Sequence, residues 1–221
     1  MDILNVVWRA VLVITVGYLL GGIPFGAIVT RRMHGVDITK VGSGNTGATN
    51  VFRAVGWRAA AVVAVLDVLK GTVPALLAYL LADPAWTDSG RDLIIIGAGS
   101  AAMLGHMFSP YFRLRGGKGI ATAAGAILVL MPKVFPLLVF LFIAVILIAR
   151  VVSVASLLAA ISFPLMTWWL YPGRLVLLAF ALVVLPVVVW SHRANIGRLL
   201  HGEEPRITMG RASDHHREES S

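Results

Sequence analysis

Residues 42–53 run Gly42-Ser43-Gly44-Asn45-Thr46-Gly47-Ala48-Thr49-Asn50-Val51-Phe52-Arg53, small and hydrogen-bonding side chains with a single charge at the terminal arginine. That composition suits an anion. Gly42, Gly44 and Gly47 let backbone N–H groups approach a phosphate closely, while Ser43, Asn45, Thr46 and Asn50 add neutral donors. A following helix N-terminus contributes partial positive charge, and Arg53 can close a charged fork. The glycines also match G-x-G-x-x-G, with Asp67 twenty residues beyond. A dinucleotide fingerprint needs a strand before it and a βαβ unit around it, whereas here an apolar stretch precedes and Asp67 falls inside the next one.

A second segment, Arg113-Leu114-Arg115-Gly116-Gly117-Lys118-Gly119, places a lysine between glycines at the predicted start of a helix, again suited to phosphate. It is not a Walker A loop, because Gly119 stands where Ser or Thr would bind magnesium and Phe112 where the first glycine would be. The third segment is His192-Arg193-Ala194-Asn195-Ile196-Gly197-Arg198-Leu199-Leu200-His201-Gly202-Glu203-Glu204. Helical spacing puts 192, 195 and 199 on one side, so His192 and Asn195 can face one site. Inside apolar stretches lie Asp67 with Lys70, His106, Ser153 and Ser156. Intramembrane charges invite a functional reading, but Asp67 and Lys70 can also satisfy each other at i, i+3.

The scaffold for these residues must be a membrane bundle. The chain has 221 residues, 58% hydrophobic and 14% charged, with mean hydropathy +0.84. Residues 10–30 and 151–173 carry no charge, each near the roughly 20 residues that cross a bilayer. Stretches such as 134–149 are apolar on every face, which excludes the alternation of a barrel strand. The first apolar stretch is too long for a secretory leader and lacks a small-residue cleavage pattern, so it reads as a retained helix. No cysteine is present, which excludes thiolate ligands and cysteine-bound intermediates.

Apolar windows predict helices at 5–30, 58–82, 92–109, 118–131, 133–149, 152–171 and 174–191. The expected fold is an all-α integral membrane bundle of seven transmembrane helices, N-terminus outside and C-terminus cytoplasmic. The fourth and fifth helices, parted by Pro132 and Lys133, could instead form one kinked helix or include a re-entrant piece. With seven spans, Arg9, Arg91, Lys133 and Arg174 lie outside, Lys70 lies within a helix, and the remaining basic residues lie inside, as the positive-inside rule requires. Arg31, Arg32 and Arg58 read as topology-setting cations that attract anionic headgroups. Residues 1–207 form one membrane-embedded domain, and 208–221 are expected as a disordered polar cytoplasmic tail.

Taken together, GSGNTGATNVFR, GHMFSPYFRLRGGKGIAT and HRANIGRLLHGEE resemble the motifs of the acyl-phosphate:glycerol-3-phosphate acyltransferase family, the bacterial membrane enzymes called PlsY, over nearly the whole chain. The resemblance implies transfer of an acyl group from acyl phosphate to the 1-hydroxyl of glycerol 3-phosphate, giving lysophosphatidic acid and phosphate at the cytoplasmic side of a bacterial inner membrane. It implies catalytic roles for Ser43, Arg53, Lys118, His192 and Asn195. Substrate contacts would come from Gly42, Gly44, Asn45, Thr46, Gly47, Asn50, Gly116, Gly117, Gly119 and Ser153. The acyl phosphate is already activated, so direct attack is expected, with His192 as base, His192 as an orienting group, or a substrate phosphate as proton acceptor.

The expected partners are glycerol 3-phosphate, acyl phosphate and membrane lipids, with no nucleic acid, metal or cofactor, and the chain is expected as a monomer. No histidine is followed five residues later by aspartate, which argues against the H-x4-D acyltransferases. Missing acidic clusters argue against magnesium-dependent phosphatidyl transfer. The rival from another class is a transporter or channel for a phosphorylated anion.

Overall fold

The structure, a computed structural model, describes residues 3–207. The expected tail at 208–221 lies outside them. Among the described residues all regular structure is helical. The long helices are α1 (Ile3–Gly22), α4 (Trp57–Leu81), α5 (Asp88–Met107), α7 (Val134–Ala149), α8 (Val152–Leu170) and α9 (Leu175–Ser191). The shorter ones are α2 (Phe25–His34), α3 (Ala48–Val55), α6 (Ile120–Leu130) and α10 (Arg193–Leu200), with a 3₁₀ turn at Ile38–Lys40.

The predicted helix at 5–30 is broken. Pro24 has no N–H to continue the ladder, so α1 stops at Gly22 and α2 restarts at Phe25, running on to a left-handed Gly35. Hydropathy hid this break because the apolar window runs through the proline. The separation at Pro132 gives two helices, α6 and α7, and not one kinked helix. The window at 118–131 starts early: Gly119 caps α6 with φ 81°, leaving Lys118 in the connection ahead of it. Helix α3 escaped hydropathy because it is short and amphipathic. Helix α10 realises the helical spacing read from the third segment, but with His192 at the 61° bend between α9 and α10.

By length and composition, three described helical stretches are sufficient to cross a membrane, Ile3–His34 across its break, Trp57–Leu81 and Val152–Leu170, or up to four if α9 and α10 count as one. Among the described residues seven self-sufficient spans are not present, since α6 has 11 residues, about 16 Å at the helical rise. The helices nevertheless alternate in direction. At one end Arg9 Nη1 donates to the Leu81 carbonyl at 2.8 Å, Arg174 Nη2 to Asp92 at 2.7 Å, and the Lys133 ammonium lies 5.8 Å from the Tyr171 ring centroid. At the other, Tyr18 Oη donates to the Phe108 carbonyl at 3.0 Å and Ile207 N to the Arg150 carbonyl at 2.7 Å. Trp8, Trp57, Trp168, Trp169 and Trp190 are exposed near helix ends, the placement of aromatic anchors at a bilayer interface.

Lipid is as apolar as a core, so these helices associate through close van der Waals packing. Two contacts are the most extensive. Helices α1 and α5 meet at Gly17, Gly21 and Gly105, and a Cβ on Gly21 would overlap the Ala102 carbonyl. Helices α4 and α6 meet reciprocally: a Cβ on Gly71 would overlap the Thr122 carbonyl, and one on Gly125 the Val68 carbonyl. Around them Phe163 is almost fully buried, edge-on to Phe180 at 6.0 Å. Gly125→Ala should therefore cost about 1–3 kcal/mol by overpacking, read as a lower unfolding temperature of the detergent-solubilised protein. An unchanged midpoint would contradict the α4–α6 contact.

Candidate active site

The first glycine-rich segment folds around Asn50, which is buried on α3. Its Oδ1 accepts from Ser43 N at 3.1 Å, and its Nδ2 donates to the Asn45 carbonyl at 2.9 Å and the Val41 carbonyl at 3.0 Å. The Asn50 amide is therefore spent on holding the loop, and its role in this structure is framework. Asn45 Oδ1 likewise accepts from Gly47 N at 3.0 Å. Gly42 and Gly44 take φ of 59° and 68°, values that suit glycine and let the chain fold back over Asn50. Thr46 is buried, while Ser43 and Arg53 are exposed.

A second group of residues is gathered by the chain after α10. Ser153 Oγ donates to Glu204 Oε1 at 3.0 Å, Asn195 Nδ2 donates to the same oxygen at 2.6 Å, and Arg198 Nε pairs with Oε2 at 2.8 Å. Lys118 Nζ donates to Asn195 Oδ1, completing a chain from the second segment through the third to α8. Arg53 reaches the same strand of chain, with Nη2 3.5 Å from the Pro205 carbonyl. The structure thus brings Lys118, Asn195 and Ser153 into one network with Arg53 at its edge. Gly116, Gly117 and Gly119 pack on the end of α5, against His106 and Met103. His192 is 1% exposed at the bend before α10, and its Nδ1 lies 2.9 Å from the Val188 carbonyl. A carbonyl only accepts, so Nδ1 carries the hydrogen, and in the neutral ring Nε2 keeps its lone pair.

Glu204 is the residue that sequence reasoning passed over. Its signal was available: Glu203 and Glu204 end a segment otherwise rich in cations, and an acid in such company is placed to organise them. Burial raises the Glu204 pKa, but hydrogen bonds from Asn195, Arg198 and Ser153 outweigh it and hold the carboxyl below its usual range. Burial pushes the Lys118 ammonium down to about 8, assisted by repulsion from Arg198 and Arg53 and opposed by Glu204. Among the described residues no three His, Asp or Glu side chains converge as metal ligands.

Removing the Glu204 carboxylate leaves Arg198 unpaired and frees Asn195 from its acceptor, so Glu204→Ala should lower turnover at least tenfold together with the unfolding temperature. Wild-type turnover and stability in that variant would show that the network is incidental. The lysine sets a pH limit. Lys118 is charged below about pH 8 and neutral above it, so kcat/KM should fall as pH rises through about 8, and Lys118→Arg should move that limb to higher pH. A profile flat to pH 10 would show that Lys118 does not titrate in this range.

The sequence profile of the family described as glycerol-3-phosphate acyltransferase matches residues 11–202. A glycerol-3-phosphate acyltransferase of Chlorobaculum parvum is 38% identical, with 91% of this chain and 97% of the relative covered, and one of Desulforamulus reducens is 40% identical, with 89% and 94% covered. Among solved structures, the glycerol 3-phosphate form of PlsY, described as an integral membrane glycerol 3-phosphate acyltransferase, aligns with TM-score 0.80 at 39% identity over 90% of this chain and 96% of that one. The lysophosphatidic acid form aligns with TM-score 0.79. Motif order, fold and coverage agree, and this chain belongs to the glycerol-3-phosphate acyltransferase family.

Proposed function

We propose that this membrane acyltransferase joins glycerol 3-phosphate to an acyl group supplied by acyl phosphate, releasing lysophosphatidic acid and inorganic phosphate. The observation that carries the proposal is the Lys118–Asn195–Glu204–Ser153 network with Arg53 at its edge, an arrangement of cations and donors suited to two phosphate-bearing substrates. The 1-hydroxyl oxygen bonds to the acyl carbon as the bond from that carbon to the phosphate oxygen breaks. Phosphate leaves with the electron pair. The hydroxyl proton goes to His192 Nε2 or to a phosphate oxygen, and no acyl–enzyme intermediate is formed. Lys118 and Arg53 stabilise the charge that develops on the departing phosphate, and Ser43 and the glycine segments supply further donors.

The proposed topology has seven crossings, with α1 and α2 as one and α6 and α7 as short ones. The N-terminus lies outside, and the network faces the cytoplasm of a bacterial inner membrane. The alternating helix directions, the tryptophans at helix ends and the basic residues of the inner connections support it. The acyl chain enters from lipid, and one copy of the chain suffices.

Purified protein should release phosphate from palmitoyl phosphate only when glycerol 3-phosphate is present, and should not use acyl-CoA in its place. An exclusive requirement for acyl-CoA would end the proposal. In the same assay Lys118→Ala and Arg53→Ala should each lose at least a hundredfold in kcat/KM, about 2.7 kcal/mol of transition-state stabilisation. Near-wild-type turnover of His192→Ala would assign the proton to phosphate.

A further inference from the structure

Asp67, Lys70 and His106 lie outside the anion-binding segments, yet they are buried and joined. Lys70 Nζ is 2.9 Å from Asp67 Oδ1 and 3.2 Å from His106 Nδ1, and Asp67 Oδ1 is 3.6 Å from His106 Nδ1. Asp67 and Lys70, one turn apart on α4, could neutralise each other without help. A third polar member from α5 adds a desolvation cost, so its placement calls for a reason.

That reason lies on the two sides of the cluster. On one side Gly117 N donates to the His106 carbonyl at 3.0 Å, a Cβ on Gly116 would overlap that carbonyl, and a Cβ on Gly117 would overlap the ring at Nε2. Lys118 is the next residue. On the other side the Lys70 ammonium lies 5.1 Å from the ring centroid of Phe25, the first residue of α2. A Cβ on Gly26, the residue after Phe25, would overlap the Thr46 carbonyl of the first glycine segment. One buried cluster therefore supports both segments, directly under Gly116 and Gly117 and through Phe25 and Gly26 beside Thr46.

We propose that the Asp67–Lys70–His106 cluster is a positioning device that fixes the two phosphate-binding segments relative to each other, with His106 the positioning residue beneath Gly117. The inference rests on the acyl transfer proposed above. A charged anchor cannot drift within an apolar bundle without losing its partners, so it holds the loop backbone, and with it Lys118, more firmly than an apolar contact of the same size.

The test compares the steady-state kinetics of wild type, His106→Ala, His106→Gln and Gly117→Ala with both substrates. His106→Ala should raise KM for at least one phosphate substrate tenfold or more while kcat falls less than threefold, and His106→Gln, which refills most of the volume, should recover part of that loss. Gly117→Ala should raise the same KM. The double variant, in which the truncated ring makes room for the new methyl, should bind better than Gly117→Ala alone. A purely structural role would lower the unfolding temperature and apparent kcat with both KM values unchanged, and that result overturns the proposal. If His106→Ala does not fold, Gly117→Ala carries the test, and an unchanged KM there overturns it as well. Wild type without turnover would be a failure of the acyl-transfer reading instead. Calorimetric Kd for glycerol 3-phosphate then decides, with a tenfold weakening in His106→Ala supporting the device and an equal Kd refuting it.

Discussion

Arg53, Lys118 and Arg198 converge at one end of an apolar bundle, and Glu204 supplies the counter-charge that lets them stay together. The carboxylate divides its oxygens, Oε1 taking Asn195 and Ser153 and Oε2 taking Arg198. Among the described residues, the hydrogen-bonded link from this carboxylate to Lys118 runs through Asn195. That indirect link matters. A direct ion pair would occupy the ammonium and make any phosphate compete with a fixed carboxylate, whereas a neutral amide orients Lys118 and leaves two of its three hydrogens to give.

The network joins three parts of the chain that are distant in sequence: the connection ahead of α6, the start of α8, and α10 with the segment after it. Its geometry is only as fixed as the packing between those helices. Glycine contacts bring α4 onto α6 and α1 onto α5 at backbone distance, leaving little freedom for sliding. The bend at His192 then turns α10 away from the direction of α9, which carries Asn195 and Arg198 across to Lys118 and Glu204. A straight continuation of α9 would carry Asn195 and Arg198 along the line of the bundle and away from both partners.

The helical membrane class was legible because burial in lipid leaves a simple record, long uncharged stretches ending in basic or tryptophan-bearing connections. The three polar segments were legible for the complementary reason: glycines gathered with cations and hydrogen-bonding side chains at helix ends suit an anion. Three features were not legible. Pro24 splits the first helix inside an unbroken apolar window, where composition averages over a single missing N–H. Asn50 looked like a free donor, but a buried amide beside left-handed glycines spends itself on the loop backbone. The partners of Glu204 and His106, more than the residues themselves, were hidden, because Ser153 and Lys70 lie 51 and 36 residues away and spacing rules reach only neighbouring turns.

The proposed reaction asks for few reactive groups from the protein because its donor is already activated. Its main physical obstacle is charge: two phosphate-bearing molecules must meet, and two unit charges of like sign 4 Å apart repel by about 4 kcal/mol at an effective dielectric of 20. Arg53, Lys118 and the glycine segments address that obstacle directly, while Glu204 and the buried Asp67–Lys70–His106 cluster sit behind them and bear on position. Such a division separates the residues that present charge and donors from those that hold them in place. The gain from fixed cations depends on their not having to reorganise as charge moves from the attacking oxygen to the departing phosphate.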